Sequence, residues 1–314
     1  MKKSVFTLLL LLVTVMVCGQ ESQTVYNFLR LPVSAHAGAL GGDNITLIED
    51  DPSLMFSNPA LLSSVSDRSI GFNYMNYMSG VNTASASYSW MLSDRATVAG
   101  TGQLMDYGKM RETDANNMET GEFSARDISM GAWMSYMLSN KFSGGISAKF
   151  IASYIGGYSS TAMCVDLGLN YYDSEKGLSI SAVARNLGGQ LSAYDDEYER
   201  LPFDMRVGVS KQLLGAPLRL SAMLSDMTHW DYKFINHLSV GLDVMLSQQI
   251  WVGGGYNFRL NNDMKTGTHD DASSHGAGLT LGAGVQLERF KLNVSYGKYH
   301  VSSSSILANV AFNI

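Results

Sequence analysis

Cysteine is almost absent from this chain: two in 314 residues, Cys18 and Cys164. If Cys18 leaves with a processed leader, Cys164 has no internal partner, so no disulfide staples the fold. Proline is nearly as scarce, with five residues at Pro32, Pro52, Pro59, Pro202 and Pro217. Charge is thin at 16% of residues, and basic side chains are the minority, 22 against 28 acidic ones. Loss of Lys2 and Lys3 with a leader would take the net charge from −6 to about −8. Nucleic-acid binding rests on basic patches, so that balance argues against it. A long apolar run is missing too. Val5 to Val17 is about 13 residues, and a helix needs roughly 20 to cross a bilayer.

What is present explains the absences. Met1-Lys2-Lys3, a short apolar core and then Gly19 form the pattern of a secretory signal peptide, residues 1–19. A lipoprotein leader is disfavoured because Val17 stands before Cys18, where a small residue is wanted. From residue 69 onward the sequence alternates with period two, the mark of a strand with two unlike faces. Leu279, Leu281, Ala283, Val285 and Leu287 interleave with Thr280, Gly282, Gly284 and Gln286. Phe290, Leu292, Val294 and Tyr296 interleave with Lys291, Asn293, Ser295 and Gly297.

This alternation predicts strands at 69–77, 81–91, 96–105, 125–137, 142–154, 161–172, 178–187, 203–212, 218–225, 236–246, 250–258, 276–287, 290–299 and 306–314. Strands of about ten residues, even in number, suit an all-β, transmembrane antiparallel barrel of about 14 strands. The even-numbered connections read as short turns. The odd ones include long stretches at 106–124, 188–202, 227–235 and 259–275, with a short exception near Gly80. All five prolines fall outside the strands, as a ladder requires. A soluble sandwich would also alternate, but its outer face would be charged, and here the less apolar face is Gly, Ser, Thr and Asn.

Residues 20–67 do not alternate and precede the barrel at 68–314. They are too few for an independent domain. The expectation is a plug-like segment folded in the lumen, with Ala37 to Leu40 helix-like and Asn58-Pro59 as a turn. A lead-in lying outside the barrel is the alternative.

Catalytic signals are lacking. No Gly-x-Ser-x-Gly elbow or His-Glu-x-x-His pair occurs, and an enzyme is not expected. The stretch Asn261 to His275 carries oxygen and imidazole groups but not the spacing of a calcium loop, so no metal or cofactor is expected. Asp195, Asp196, Glu197 and Glu199 form an acidic outer loop: a solvated loop, or a contact for a basic partner or for ions bridging lipopolysaccharide. Tyr74, Tyr77, Tyr154, Tyr171, Tyr172, Trp133, Trp251 and Tyr299 are candidates for interfacial girdles. Lys149, Asp166, Arg185, Asp204, Arg206 and Asp243 fall on the polar strand faces and should point into the lumen.

The run Leu31 to Gly42, with Asp50 to Ser53 and Asn58-Pro59-Ala60-Leu61-Leu62, resembles the N-terminal region of the PorQ family of type IX secretion components. Tyr74 to Met78 with Gly80-Val81-Asn82 continues the likeness. Ala184 to Gly188 and Leu201 to Gly208 are similar to a theme of the wider PorV and FadL-like barrels. Asn58-Pro59-Ala60 is similar to a plug motif of FadL-type transporters. The PorQ resemblance implies a non-catalytic outer-membrane anchor. Its partners would be a PorZ-like surface protein, a PorU-type sortase and a PorV-like barrel, which attach cargo to lipopolysaccharide. The rival is a FadL-type transporter of hydrophobic compounds. That would need an apolar pocket between plug and wall, for which Leu54, Met55, Phe56, Leu61 and Leu62 are candidates, and a lateral exit. A plug of this size argues against a general pore.

Overall fold

The computed structural model describes residues 24–314 except 79, 117, 231–232, 265–275 and 301–302. The leader at 1–19 and most of the 261–275 loop therefore lie outside the described residues. Fourteen strands close into one antiparallel barrel in which each pairs with its chain neighbours and β1 pairs with β14. They are β1 (Ser69–Met78), β2 (Val81–Ser93), β3 (Ala96–Thr113), β4 (Glu119–Met137), β5 (Phe142–Ile155), β6 (Tyr158–Asp173) and β7 (Leu178–Ser192). Then follow β8 (Asp204–Gln212), β9 (Leu218–Leu224), β10 (Leu238–Met245), β11 (Ile250–Asn257), β12 (Leu279–Gln286), β13 (Phe290–His300) and β14 (Ser303–Asn313). The predicted strand count holds. Among the described residues no helix is long and apolar enough to cross a membrane; the strands do so, because closure pairs the backbone without leaving edges.

Side-chain alternation sets the register. Phe72, Leu104, Met130, Ile146, Phe150, Leu169, Val207, Leu242 and Val294 point outward and are exposed. The intervening Ser, Thr and Asn residues point inward and are buried. A one-residue slip would put the polar set into lipid, so the two-faced pattern fixes the pairing. Outward aromatics form two bands. Tyr88, Trp90, Tyr136 and Phe142 lie toward the short-turn end, and Tyr74, Tyr154, Tyr158 and Tyr296 toward the other.

Two sequence expectations fail here. Residues 106–124 are not a loop. β3 and β4 keep pairing from Lys109↔Ser124 to Thr113↔Glu119, beyond the reach of β2 and β5. Alternation is weak in this stretch because neither face of the projecting ribbon is covered. Trp133 and Trp251 are also not girdle residues. Both are buried in the lumen, because each indole N–H has an inward partner, Thr101 Oγ1 and Asn293 Oδ1, both at 2.9 Å. Tyr77 and Tyr299 likewise pack inside, against Ala35, Met75 and Leu307.

Residues 24–66 lie inside the barrel. Thr24 bridges to Arg200 at the long-loop end, and Ile314 N–H donates to Arg68 O (3.1 Å) at the short-turn end. The segment therefore traverses the lumen before β1 begins. It is built of short turns, because a chain this short cannot bury a face of its own and borrows the wall's. A 3-10 turn (Asn27–Arg30) is followed by α1 (Ala35–Ala39) and 3-10 turns at Pro52–Phe56 and Pro59–Ser64. Ser34, Asp51 and Asn58 cap the last three, accepting from Ala37 N, Ser53 N and Ala60 N at 3.4, 2.8 and 3.0 Å. Proline stands at the start of each of the last two turns, where its missing N–H costs nothing.

Candidate functional site: the plug, its ion-pair lock and the opening beside β7

The plug meets the wall where the wall has no side chain. A Cβ on Gly168 would sit 2.1 Å from Asn58 Oδ1, and one on Gly145 would sit 2.3 Å from the carbonyl carbon of Pro59. These glycines of β5 and β6 form a recess for Asn58-Pro59-Ala60, all buried. The Asn58 amide also donates to Ile45 O (3.1 Å), tying two parts of the plug together. The sequence motif is thus a packing and capping device. Leu54, Met55, Leu61 and Leu62 are at most 1% exposed and Phe56 is 8% exposed. Phe56 meets the Trp133 ring edge-on at 5.4 Å. All five are packing core: Met55, Phe56 and Leu62 between plug and wall, Leu54 and Leu61 within the plug.

Two buried ion clusters lock the plug. In the first, Asp43 accepts hydrogen bonds from Arg185 and from Arg206 (2.7 Å), while Arg206 Nε donates to Asp204 (2.5 Å). Arg185 Nη2 also donates to Leu29 O (3.0 Å). In the second, His36 stands between Glu49 (2.8 Å) and Asp243 (3.0 Å) and stacks on Trp251 at 3.4 Å and 6°. Arg219 joins the same two carboxylates, to Glu49 at 2.7 Å and Asp243 at 2.8 Å. Burial by itself would depress the His36 imidazole. The Glu49 charge and the hydrogen bonds to Asp243 and Glu49 outweigh it, and its pKa is raised. Burial pushes the Glu49 carboxyl up, but the charges of His36 and Arg219 overcome this and hold it well below the usual carboxylate range. Lys291 pairs with Asp50 at 2.5 Å, a third tie between plug and wall. Every charge that sequence reasoning aimed at the lumen is there and partnered. Lys149 pairs with Asp166 at 2.8 Å. Missing from that reading were Asp43, Glu49 and Arg219, whose isolated positions in sequence give no sign of their partners.

Among the described residues the ladder between β7 and β8 ends early. β7 pairs with β6 along to Thr161↔Ser192. Its pairing with β8 stops at Arg185↔Asp204. The ladder breaks where Asn186 takes a left-handed backbone, φ 58°, a conformation Asn tolerates better than most residues. Asn186 is held by three polar contacts: its N–H donates to Asp166 (2.8 Å), its amide donates to Pro202 O (3.0 Å), and it accepts from Lys149 (2.7 Å). Beyond it, residues 198–203 run beside β7 without a ladder, joined by Glu199 N–H to Gln190 (2.6 Å). Between them lies a cavity of about 520 Å³ whose apolar lining is Leu187, Tyr198, Leu201 and Phe203 with Gly188 and Gly189, and whose rim carries Asn186, Gln190, Glu199 and Arg200. Gly189 pairs with Met163, which faces lipid at 51% exposure. Behind the opening lies an apolar cluster of Tyr26, Phe28, Leu29, Val81, Met105, Ile151, Cys164 and Leu201. The resembling stretches Ala184 to Gly188 and Leu201 to Gly208 are the two lips of this opening.

Asp195, Asp196, Glu197 and Glu199 are exposed, Glu199 lines this cavity, and none of the four makes an ion pair among the described residues. The structure does not gather them with Asn58-Pro59-Ala60 into one site.

No family model matches the sequence, and no curated protein does. Solved structures do match in fold. The Pseudomonas putida toluene transporter TodX aligns with a TM-score of 0.58 at 13% identity, covering 93% of this chain and 98% of that one. The CymD monoaromatic hydrocarbon channel gives 0.59 at 12%, covering 90% and 97%. A Pseudomonas aeruginosa FadL homologue gives 0.54 at 12%, covering 90% and 99%. The chain has the fold of the FadL-like outer-membrane barrels.

Proposed function

We propose that this chain is a plugged outer-membrane channel that passes small hydrophobic compounds through the side of its wall, not along its axis. The observation that carries this is the opening beside β7: a cavity at lipid level, backed by the apolar cluster of Tyr26, Phe28 and Leu201. The axial route is filled by the plug and crossed by buried ion pairs, which repel an apolar ligand. The FadL-like neighbours TodX, a toluene transporter, and CymD, a monoaromatic hydrocarbon channel, favour the same reading. The test uses a fluorescent naphthylamine probe with purified protein. Gly189 lines the cavity and a Cβ there meets nothing within 4 Å, so Gly189→Phe places a ring at the rim of the opening without a clash. Saturable probe binding that this variant abolishes is expected. Equal binding by both proteins overturns the route.

A second reading rests on the PorQ-like residues. On it, the barrel is the membrane anchor of a type IX attachment complex, with a PorZ-like surface protein, a PorU-type sortase and a PorV-like barrel, beside lipopolysaccharide. Two features support it: a plug pinned by ion pairs at several points, and the exposed acidic loop at Asp195, Asp196, Glu197 and Glu199, suited to a basic partner. Crosslinking in native membranes tests it. Recovery of a sortase and a second barrel supports it, and recovery of the barrel alone refutes it.

A further inference from the structure

A second cavity, of about 320 Å³, lies at the long-loop mouth between plug and wall, away from the opening beside β7. Its lining is of another kind. Three arginines (Arg30, Arg206, Arg259) and four aspartates (Asp43, Asp204, Asp226, Asp263) surround it, nearly balanced in charge. The ion pairs among them use part of the hydrogen-bonding capacity. Arg206 donates through Nε and Nη1, which leaves Nη2. Asp263 accepts at Oδ2 from Arg259 (3.3 Å), which leaves Oδ1. Ser239, Tyr77 and Tyr299 line the same space, and their hydroxyls make no hydrogen bond among the described residues. Residues with one spare donor, one spare acceptor and three hydroxyls that do both thus line one small space, two of them aromatic.

We infer that this mouth cavity binds a neutral polyhydroxylated ligand, a single pyranose unit of a saccharide. An ionic ligand of either sign meets both signs in the lining, so it gains little from the charges. A hydrophobe would leave buried polar groups without partners, which costs free energy. A pyranose offers hydroxyls that donate and accept, which suits mixed side chains. Its C–H face packs on aromatic rings such as Tyr77 and Tyr299. The volume lies at the lower end of the range for small-molecule sites, roughly 300–1,000 Å³. The inference does not depend on the opening beside β7, whose ligand is apolar.

The test is ligand-observed NMR on the purified barrel with glucose, galactose, mannose and N-acetylglucosamine at millimolar concentration, and glycine as the charged control. Saturation transfer to at least one pyranose is expected, and none to glycine. Tyr299→Phe and Tyr77→Phe keep the rings and remove one hydroxyl each. Each should weaken binding roughly threefold to tenfold, with heat-modifiable gel mobility confirming the folded barrel. Gly189→Phe should leave pyranose binding unchanged while it abolishes probe binding at the wall. The inference is overturned if no pyranose receives saturation from the folded protein, if glycine does instead, or if both tyrosine variants bind as wild type.

Discussion

Asp43→Asn tests whether the ion-pair lock holds the plug. Asp43 is an acceptor shared by two wall arginines, Arg185 and Arg206, and by Ser57 of the plug. The three charged side chains are between 6% and 10% exposed, so solvent screening gives little relief. Removing one member of a buried pair costs about 3–5 kcal/mol, because the other is left buried and uncompensated. Arg206 keeps Asp204 and Arg185 keeps Leu29 O, which puts the loss near the lower value, about 3 kcal/mol. That corresponds to roughly a hundredfold rise in the population with the plug released. The plug supplies its own reporter. Arg30 is its one tryptic site between Thr24 and Val65, half-buried and held in the barrel mouth until the segment comes out. Trypsin should cut Asp43→Asn after Arg30 about a hundredfold faster than wild type, with the barrel core intact on the gel. Arg185→Met added to Asp43→Asn should recover part of the loss by removing a stranded charge. Equal cleavage rates in wild type and Asp43→Asn would refute the lock.

The second ion cluster gives a pH prediction. The His36 pKa is raised, so its contribution is fully present below the unfolded imidazole value and is lost as pH rises through the folded one. Neutral His36 leaves Glu49 and Asp243 facing Arg219 alone. Cleavage after Arg30 should therefore rise toward alkaline pH in wild type and lose that dependence in His36→Phe; parallel profiles would contradict it. Gly168→Val places side-chain atoms where Asn58 now sits and should cost about 1–3 kcal/mol by overpacking, measured as a lower urea midpoint. Met130→Arg puts charge on an outward site of 64% exposure and should cost about 2–4 kcal/mol in bilayer refolding. An unchanged refolding yield would show that this face does not meet lipid.

The barrel was legible in sequence because alternation is local. Each strand states its own two faces, so Leu279 to Leu287 shows its lipid side without knowledge of its neighbours. Trp133 and Trp251 were misplaced because an amphipathic ring suits a membrane interface and a polar lumen equally, and the partners that decide it, Thr101 and Asn293, stand on neighbouring strands. The ion-pair lock was half legible. Polar-face charges on strands were visible, but Asp43 and Glu49 sit in irregular chain, and their wall partners Arg185, Arg206 and Arg219 are more than 140 residues away. The opening beside β7 was not legible, because a missing ladder is a property of two strands. Asn186 and Pro202, its hinge and lip, stood out only as parts of a resembling stretch.

Entry of an apolar ligand beside β7 is tested most directly by a hydrophobic diazirine probe, photolysed with the protein in outer-membrane vesicles and mapped by mass spectrometry. Adducts are expected on Leu187, Leu201, Tyr26 and Phe28, suppressed in Gly189→Phe. Labelling confined to lipid-facing residues such as Leu242 and Val294, with none on Tyr26 or Phe28, would contradict it.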